Sequence, residues 1–176
     1  MVNDPNFDLS TTTASEISPN AELRAKAKQF LYREARLLDT REFDAWLDLW
    51  TADGMYWLPH EPGQTSAHDH ISLFWEDATL REVRALRVTN ARNWSQQPPT
   101  RTARIVGNVL LHGRDAAGRL IVHSTLVVNE WRLGQRTLAG LVTHKLDTSG
   151  DDWKIYLKRV DLVNSTDAFA NLEVFV

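Results

Sequence analysis

A chain of 176 residues with a formal charge of −3 is long enough to bury one core and lacks the basic excess of a nucleic-acid surface. It contains no cysteine, which excludes disulfides, thiolate zinc sites, a cysteine nucleophile and an iron–sulfur cluster held by this chain's own thiolates. No apolar run reaches the ~20 residues that cross a bilayer, and the opening lacks the basic start and apolar stretch of a signal peptide, so the expected compartment is the cytoplasm, with no membrane partner.

Residues 1–20, MVNDPNFDLSTTTASEISPN, carry too little apolar surface to pack alone and read as a flexible tail ahead of a single domain over 21–176. From Ala21 the apolar residues Leu23, Ala27, Phe30, Leu31, Leu37 and Leu38 recur at helical intervals. Asp39-Thr40-Arg41-Glu42 then has the form of a capping box, with Leu38 and Phe43 at the staple positions. This predicts a second helix presenting Phe43, Trp46, Leu47 and Trp50 and stopping at Asp53-Gly54. MYWLPH and ISLFW read as short strands. Asp77 can cap a third helix whose Leu80, Val83 and Leu86 define its expected apolar face, with arginines over the remainder.

After the loop TNARNWSQQPP, everything beyond Thr100 reads as β-structure, in four segments separated by GRDAAG, GQ and SGDD. The fold class is therefore α+β, three N-terminal helices packed on a strongly curved, mostly antiparallel sheet.

The stretch HDHISLFWED raises the question of a metal site, because His68, His70, Glu76 and Asp77 are ligand types. On an extended chain Glu76 lies roughly 20 Å beyond His70, too far to share an ion. His60, His112, His123 and His144 are dispersed in sequence, and the segment reads as a solvated loop without metal.

Phosphate loops, dinucleotide fingerprints and nucleophile elbows are missing from the sequence. Acid–base chemistry in a pocket between helices and sheet stays open. His144 shares strand parity with Leu138, Val142 and Leu146 and should face inward, while His123 falls on one face with Ile121, Val127 and Trp131. An inward histidine near Tyr56 or Asp53 has the makings of a general base; a core histidine bonded to a backbone carbonyl fits the same pattern. Seven tryptophans are many for one small domain, and tryptophan is enriched where subunits bury one another. The closing NLEVFV alternates apolar residues and is expected to dock, so that truncation before Asn171 should weaken assembly more than the fold.

From about Gln29 to Val176, FLYREARLLDTREFDAWLDLWTADGMYWLP, ISLFWED, the SQQPPTRTARIVGNV block and NLEVFV together resemble the small (beta) subunit of aromatic-ring-hydroxylating dioxygenases. The departures are Trp75, where relatives often have tyrosine, and Ala78, where an arginine commonly follows the acidic pair. The resemblance implies a cone-like fold of the nuclear transport factor 2 and cystatin-like kind, and a structural subunit that supports dihydroxylation of an aromatic compound. It implies a large alpha subunit as partner, three copies of each, with the Rieske [2Fe-2S] cluster and mononuclear Fe(II) on that subunit and electrons from NAD(P)H through a separate reductase. It puts no catalytic, cofactor or metal residue on this chain, and suggests Trp75, Trp94, Arg101, Arg104, Trp131 and Phe175 as subunit-interface residues, with self-association as a trimer. The alternative is a stand-alone pocket enzyme of the same fold, an isomerase or dehydratase using Asp53, Tyr56, His123 or His144.

Overall fold

The computed structural model describes residues 7–18, 20–169 and 172–176. Helix α1 (Ala21–Asp39) is followed by the short α2 (Phe43–Leu47), strands β1 (Trp50–Pro59) and β2 (Ser72–Glu76), helix α3 (Ala78–Thr89), and strands β3 (Arg101–Arg114), β4 (Leu120–Trp131), β5 (Gln135–Asp147) and β6 (Lys154–Leu162). The six strands form one sheet in the order β2-β1-β6-β5-β4-β3. β1 and β6 run parallel, and the other neighbouring pairs run antiparallel. This is the α+β architecture read from the sequence.

Helix α1 begins where Asn20 accepts the Leu23 N–H at 2.9 Å. It runs through Asp39 and ends with Arg41 in the left-handed region, φ 63°, where the Glu42 N–H returns to the Leu37 carbonyl at 2.8 Å. Asp39 is therefore not the cap of a second helix, and α2 starts at Phe43 without any side-chain cap. The carboxylate is taken by β3 instead: it accepts the Thr102 hydroxyl and the Arg104 N–H, each at 2.8 Å, and pairs with the Arg104 guanidinium. Asp53-Gly54 likewise lies inside β1 rather than at a helix end. A Cβ on Gly54 would stand 2.7 Å from the Ile155 carbonyl, so the glycine admits β6 at close range.

Helix α3 is capped by Asp77 as expected, but its buried face is Arg81, Ala85 and Val88, while Leu80, Val83 and Leu86 are exposed. The cause is polar. The Arg81 guanidinium donates to the carbonyls of Gly54 (2.7 Å) and Glu76 (2.9 Å) and lies 3.9 Å from the centre of the Trp50 ring. Burial pushes its pKa down to about 10, so it stays cationic at neutral pH. Arg84 pairs with Glu76 over the face of Phe74. These two arginines turn the helix against its own apolar periodicity.

The main core lies between α1, α2, α3 and the concave face of the sheet, where Val122, Leu126, Val128, Leu138, Val142 and Leu146 point inward. A second cluster, Met55, Trp57, Tyr156 and Leu157, is covered by Phe7, Leu9 and Trp75. Phe7 stacks on Tyr156 at 4.5 Å. Within the segment read as a tail, residues 7–18 thus run against the sheet. Lys145, fully buried, donates to Asp8 Oδ2 (2.6 Å) and to the Asp8 and Ser10 carbonyls (both 3.1 Å), and pairs with Asp115 at 3.1 Å. Ala14 and Ser15 then bond to Arg114, beside a glycine whose Cβ would clash with Thr13 at 2.5 Å.

The strap makes a testable contribution to stability. A Phe7→Ala/Asp8→Ala chain should lose about 1–3 kcal/mol, since the ring leaves an apolar cluster and the Lys145 ammonium loses one of its two carboxylates. The denaturant midpoint measures it; an unchanged midpoint would show that the strap contributes nothing.

Candidate functional site

A charged cluster lies buried between α1 and the sheet. Glu34 enters from α1 at a position that belongs by spacing to the apolar face formed by Phe30, Leu31, Leu37 and Leu38. Its carboxylate meets His144 Nε2 at 3.0 Å and Lys158 Nζ at 3.0 Å, and accepts the Trp46 indole N–H at 3.3 Å. Burial by itself would raise the pKa of this carboxyl, but the charges of Lys158 and His144 and their hydrogen bonds outweigh it and hold the group well below the usual carboxylate range. Burial lowers the Lys158 pKa, opposed by Glu34. The space left beside the cluster is about 10 Å³, room for a single water at most.

Strand parity placed His144 correctly on the concave face, although its partner is Glu34 rather than a backbone carbonyl, Tyr56 or Asp53. Tyr56 is fully buried. Its hydroxyl donates to the Val176 carbonyl at 3.0 Å and accepts the Val176 N–H at 2.9 Å, and burial pushes its pKa up. Asp53 is exposed on β1. His123 lies on the opposite face of the sheet: Val122 pairs with His144, whereas His123 pairs with Thr143 and bonds its hydroxyl at 3.0 Å. Its ring lies 4.7 Å from that of His112, and burial followed by that neighbour lowers its pKa. The four residues of the acid–base alternative therefore do not converge on one pocket.

The final segment closes the cone. Phe175 packs against Trp46 at 4.2 Å, Phe43 at 5.7 Å and Tyr56 at 6.1 Å, with Val174 and Val176 buried beside it. Arg104 donates to the Phe175 carbonyl and Arg84 to the Leu172 carbonyl at 3.1 Å. The closing apolar residues dock onto this chain's own core, which corrects the expectation that their removal would chiefly affect assembly.

The interface candidates separate accordingly. Phe175 and the Arg104 side chain are buried within the chain, and Trp75 is half-buried against Phe7 and Trp57. Trp94, Trp131 and Arg101 are exposed, with the Arg101 guanidinium 4.9 Å from the centre of the Trp131 ring. In the histidine loop, His60 bonds Glu61 at 2.9 Å and the His68 ring stands nearly perpendicular to that of Trp75, 5.8 Å between centres. No group of three or more His, Cys, Asp or Glu side chains is gathered for a metal ion among the described residues. Glu34 and Lys158 are not among the residues that sequence patterns single out. The available signal was a charged residue at an apolar position of α1 and another in the middle of the β6 strand.

The profile of the family described as "Ring hydroxylating beta subunit" matches residues 33–167. The chain is 34% identical to the N,N-dimethyl phenylurea N-demethylase subunit beta of Sphingobium sp. (strain YBL2), over 94% of this chain and 99% of that one. It is 29% identical to the benzene 1,2-dioxygenase subunit beta of Pseudomonas putida, over 88% and 89% of the two chains. The crystal structure of the benzoate 1,2-dioxygenase beta subunit of Burkholderia mallei superposes with a TM-score of 0.69 at 31% identity, covering 88% of this chain and 97% of that one.

Two variants test the interior. Glu34→Gln leaves Lys158 buried without its counter-charge and should cost on the order of 3–5 kcal/mol. The folded pKa of Glu34 lies below its ordinary value of 4.5, so its contribution is fully present above that pH and is lost as pH falls toward the folded value. A Glu34→Gln/Lys158→Met chain should accordingly show a shallower acid loss of stability, by about one proton, in melting curves taken from pH 6 to 3. Deleting residues 172–176 should abolish cooperative unfolding by calorimetry; a truncated chain that melts like the full one would contradict the closing role of Phe175.

Proposed function

This chain belongs to the ring hydroxylating beta subunit family, and on that premise we propose that it is the structural beta subunit of the terminal oxygenase of an aromatic-ring-hydroxylating dioxygenase, supporting oxidation of an aromatic compound by a large alpha subunit. The observation that carries this reading is the filled cone. The space where a stand-alone enzyme of this shape would seat its substrate is occupied by Phe175, Val176 and the Glu34 cluster. The side chains free to meet other molecules are on the outside.

The redox groups belong to the large subunit in this reading. A Rieske centre takes two thiolates, and this chain has no cysteine; the mononuclear iron takes a convergent His/carboxylate set, and the dispersed histidines do not fit one. The chain itself carries no step of the reaction. Names among its relatives cover both dioxygenation of benzene and N-demethylation of a phenylurea, so an aromatic substrate is proposed without a regiochemistry.

Assembly is proposed as three large and three small subunits, with the small subunits also associating as a trimer. What supports this is the convex face of the sheet, where Ile105, Leu110 and Leu141 are exposed on β3 and β5. Residues 21–176 are the single α+β domain in this proposal, with residues 7–18 laid on it as a strap, and the cytoplasm is its compartment, where NAD(P)H supplies the electrons; no helix among the described residues is long and apolar enough to cross a membrane.

Reconstituted complex decides between scaffold and enzyme. In His144→Gln, any loss of turnover should follow the loss of assembled complex, because the imidazole serves Glu34. A loss of about 100-fold or more at unchanged complex content and melting temperature would establish His144 as an acid–base catalyst. The isolated chain, purified without an affinity tag, should hold no stoichiometric iron or zinc by elemental analysis.

A further inference from the structure

Two buried side-chain nitrogens beside the Glu34 cluster have no hydrogen-bond partner among the described residues. One is Nδ1 of His144, whose side chain is 3% exposed, and the other is Nε of Arg104, whose side chain is 2% exposed. The remaining nitrogens of both side chains are bonded: His144 Nε2 meets Glu34 Oε2 at 3.0 Å, and the terminal nitrogens of Arg104 reach Asp39, Thr102 and the Phe175 carbonyl. Both residues line the same space of about 10 Å³ between α1 and the sheet, with Ser124 and Lys158 beside them. Buried donors and acceptors in native proteins are nearly always paired, so two orphans on one space point to a shared partner.

Proton positions define what that partner is. An ionised carboxylate only accepts, so His144 Nε2 carries the proton it shares with Glu34, and in a neutral imidazole Nδ1 is then an acceptor. Arg104 Nε only donates. The partner must accept at one nitrogen and donate at the other, which water does. An anion has no proton for Nδ1, and a metal cation would stand among the charges of Arg104 and Lys158 with no lone pair for the guanidinium. Size agrees, because a space of about one probe sphere holds a single water and nothing larger.

We propose that one buried water is an integral part of this fold, accepting from Arg104 Nε–H and donating to His144 Nδ1, and that it joins the Glu34 cluster to the contacts that close the cone. Arg104 is bound to Asp39 on α1 and to the carbonyl of Phe175, while His144 is bound to Glu34 on the same helix. Through the water, α1, β3, β5 and the final segment share one continuous set of hydrogen bonds. Both nitrogens of His144 are thereby engaged, and neither is left to act as a base. The inference concerns this chain alone and stands whatever the large subunit contributes.

The full chain, crystallised at pH 8 where imidazole is ordinarily neutral, should show one density peak within about 3.2 Å of both His144 Nδ1 and Arg104 Nε. Nitrogen-15 spectra at the same pH should place the His144 proton on Nε2, with Nδ1 unprotonated and shifted by an accepted hydrogen bond. Arg104→Lys keeps a cation beside Asp39 but has no Nε–H, so the peak should be lost and the Nδ1 resonance should move. If that variant fails to fold, the wild-type density and spectrum decide by themselves. Absence of the peak, a peak that touches only one of the two nitrogens, or a proton on Nδ1 at pH 8 would overturn the proposal. An anomalous signal at the site after a bromide soak would overturn it as well, by assigning the space to an anion.

Discussion

The ionised carboxylate of Glu34 is the constraint on which the rest of the cone depends. A charge at that depth is tolerable only with its counter-charges in place, so α1 must lie over the sheet in the one register that brings Glu34 to Lys158 on β6 and His144 on β5. Apolar side chains alone would accept neighbouring registers at little cost. A slipped helix here leaves three polar groups buried without partners. The same helix delivers Asp39 to the β3 backbone at its far end, so both ends of α1 are pinned by specific polar contacts.

From that registration follows the closing of the cone. Arg104, fixed by Asp39, reaches the Phe175 carbonyl; Arg84, fixed by Glu76, reaches Leu172; and Tyr56 exchanges two hydrogen bonds with Val176. The final residues are thereby built into the core. Once they are there, the space beside Glu34 between α1 and the sheet has no room for a substrate, and the exposed apolar side chains lie outside. Support of a catalytic partner follows from that distribution of surfaces more directly than from any single residue.

Local rules placed most of the elements correctly. The first helix begins at Ala21, Asp77 caps the third, the long β3–β6 segments fall where alternation and turn residues put them, and His144 faces inward by parity. Composition alone removed thiolate chemistry from the chain. Short motifs in order sufficed for the family, because their joint spacing is far more specific than any of them singly.

Tertiary structure decided what depends on partners distant in the chain. Asp39 looked like a cap because Glu42 follows it, but a strand more than sixty residues away offered its carboxylate better donors. α3 looked amphipathic about Leu80, Val83 and Leu86, yet Arg81 found the carbonyls of Gly54 within β1 and Glu76 at the end of β2 and took the buried side. Lys145 and Glu34 are charged residues whose burial no local pattern predicts, since their counter-charges come from Asp8, Asp115, His144 and Lys158. Periodicity reports where apolar side chains recur; only the assembled fold determines where a charge can be paired, and that pairing is what overrode the periodic reading in this chain.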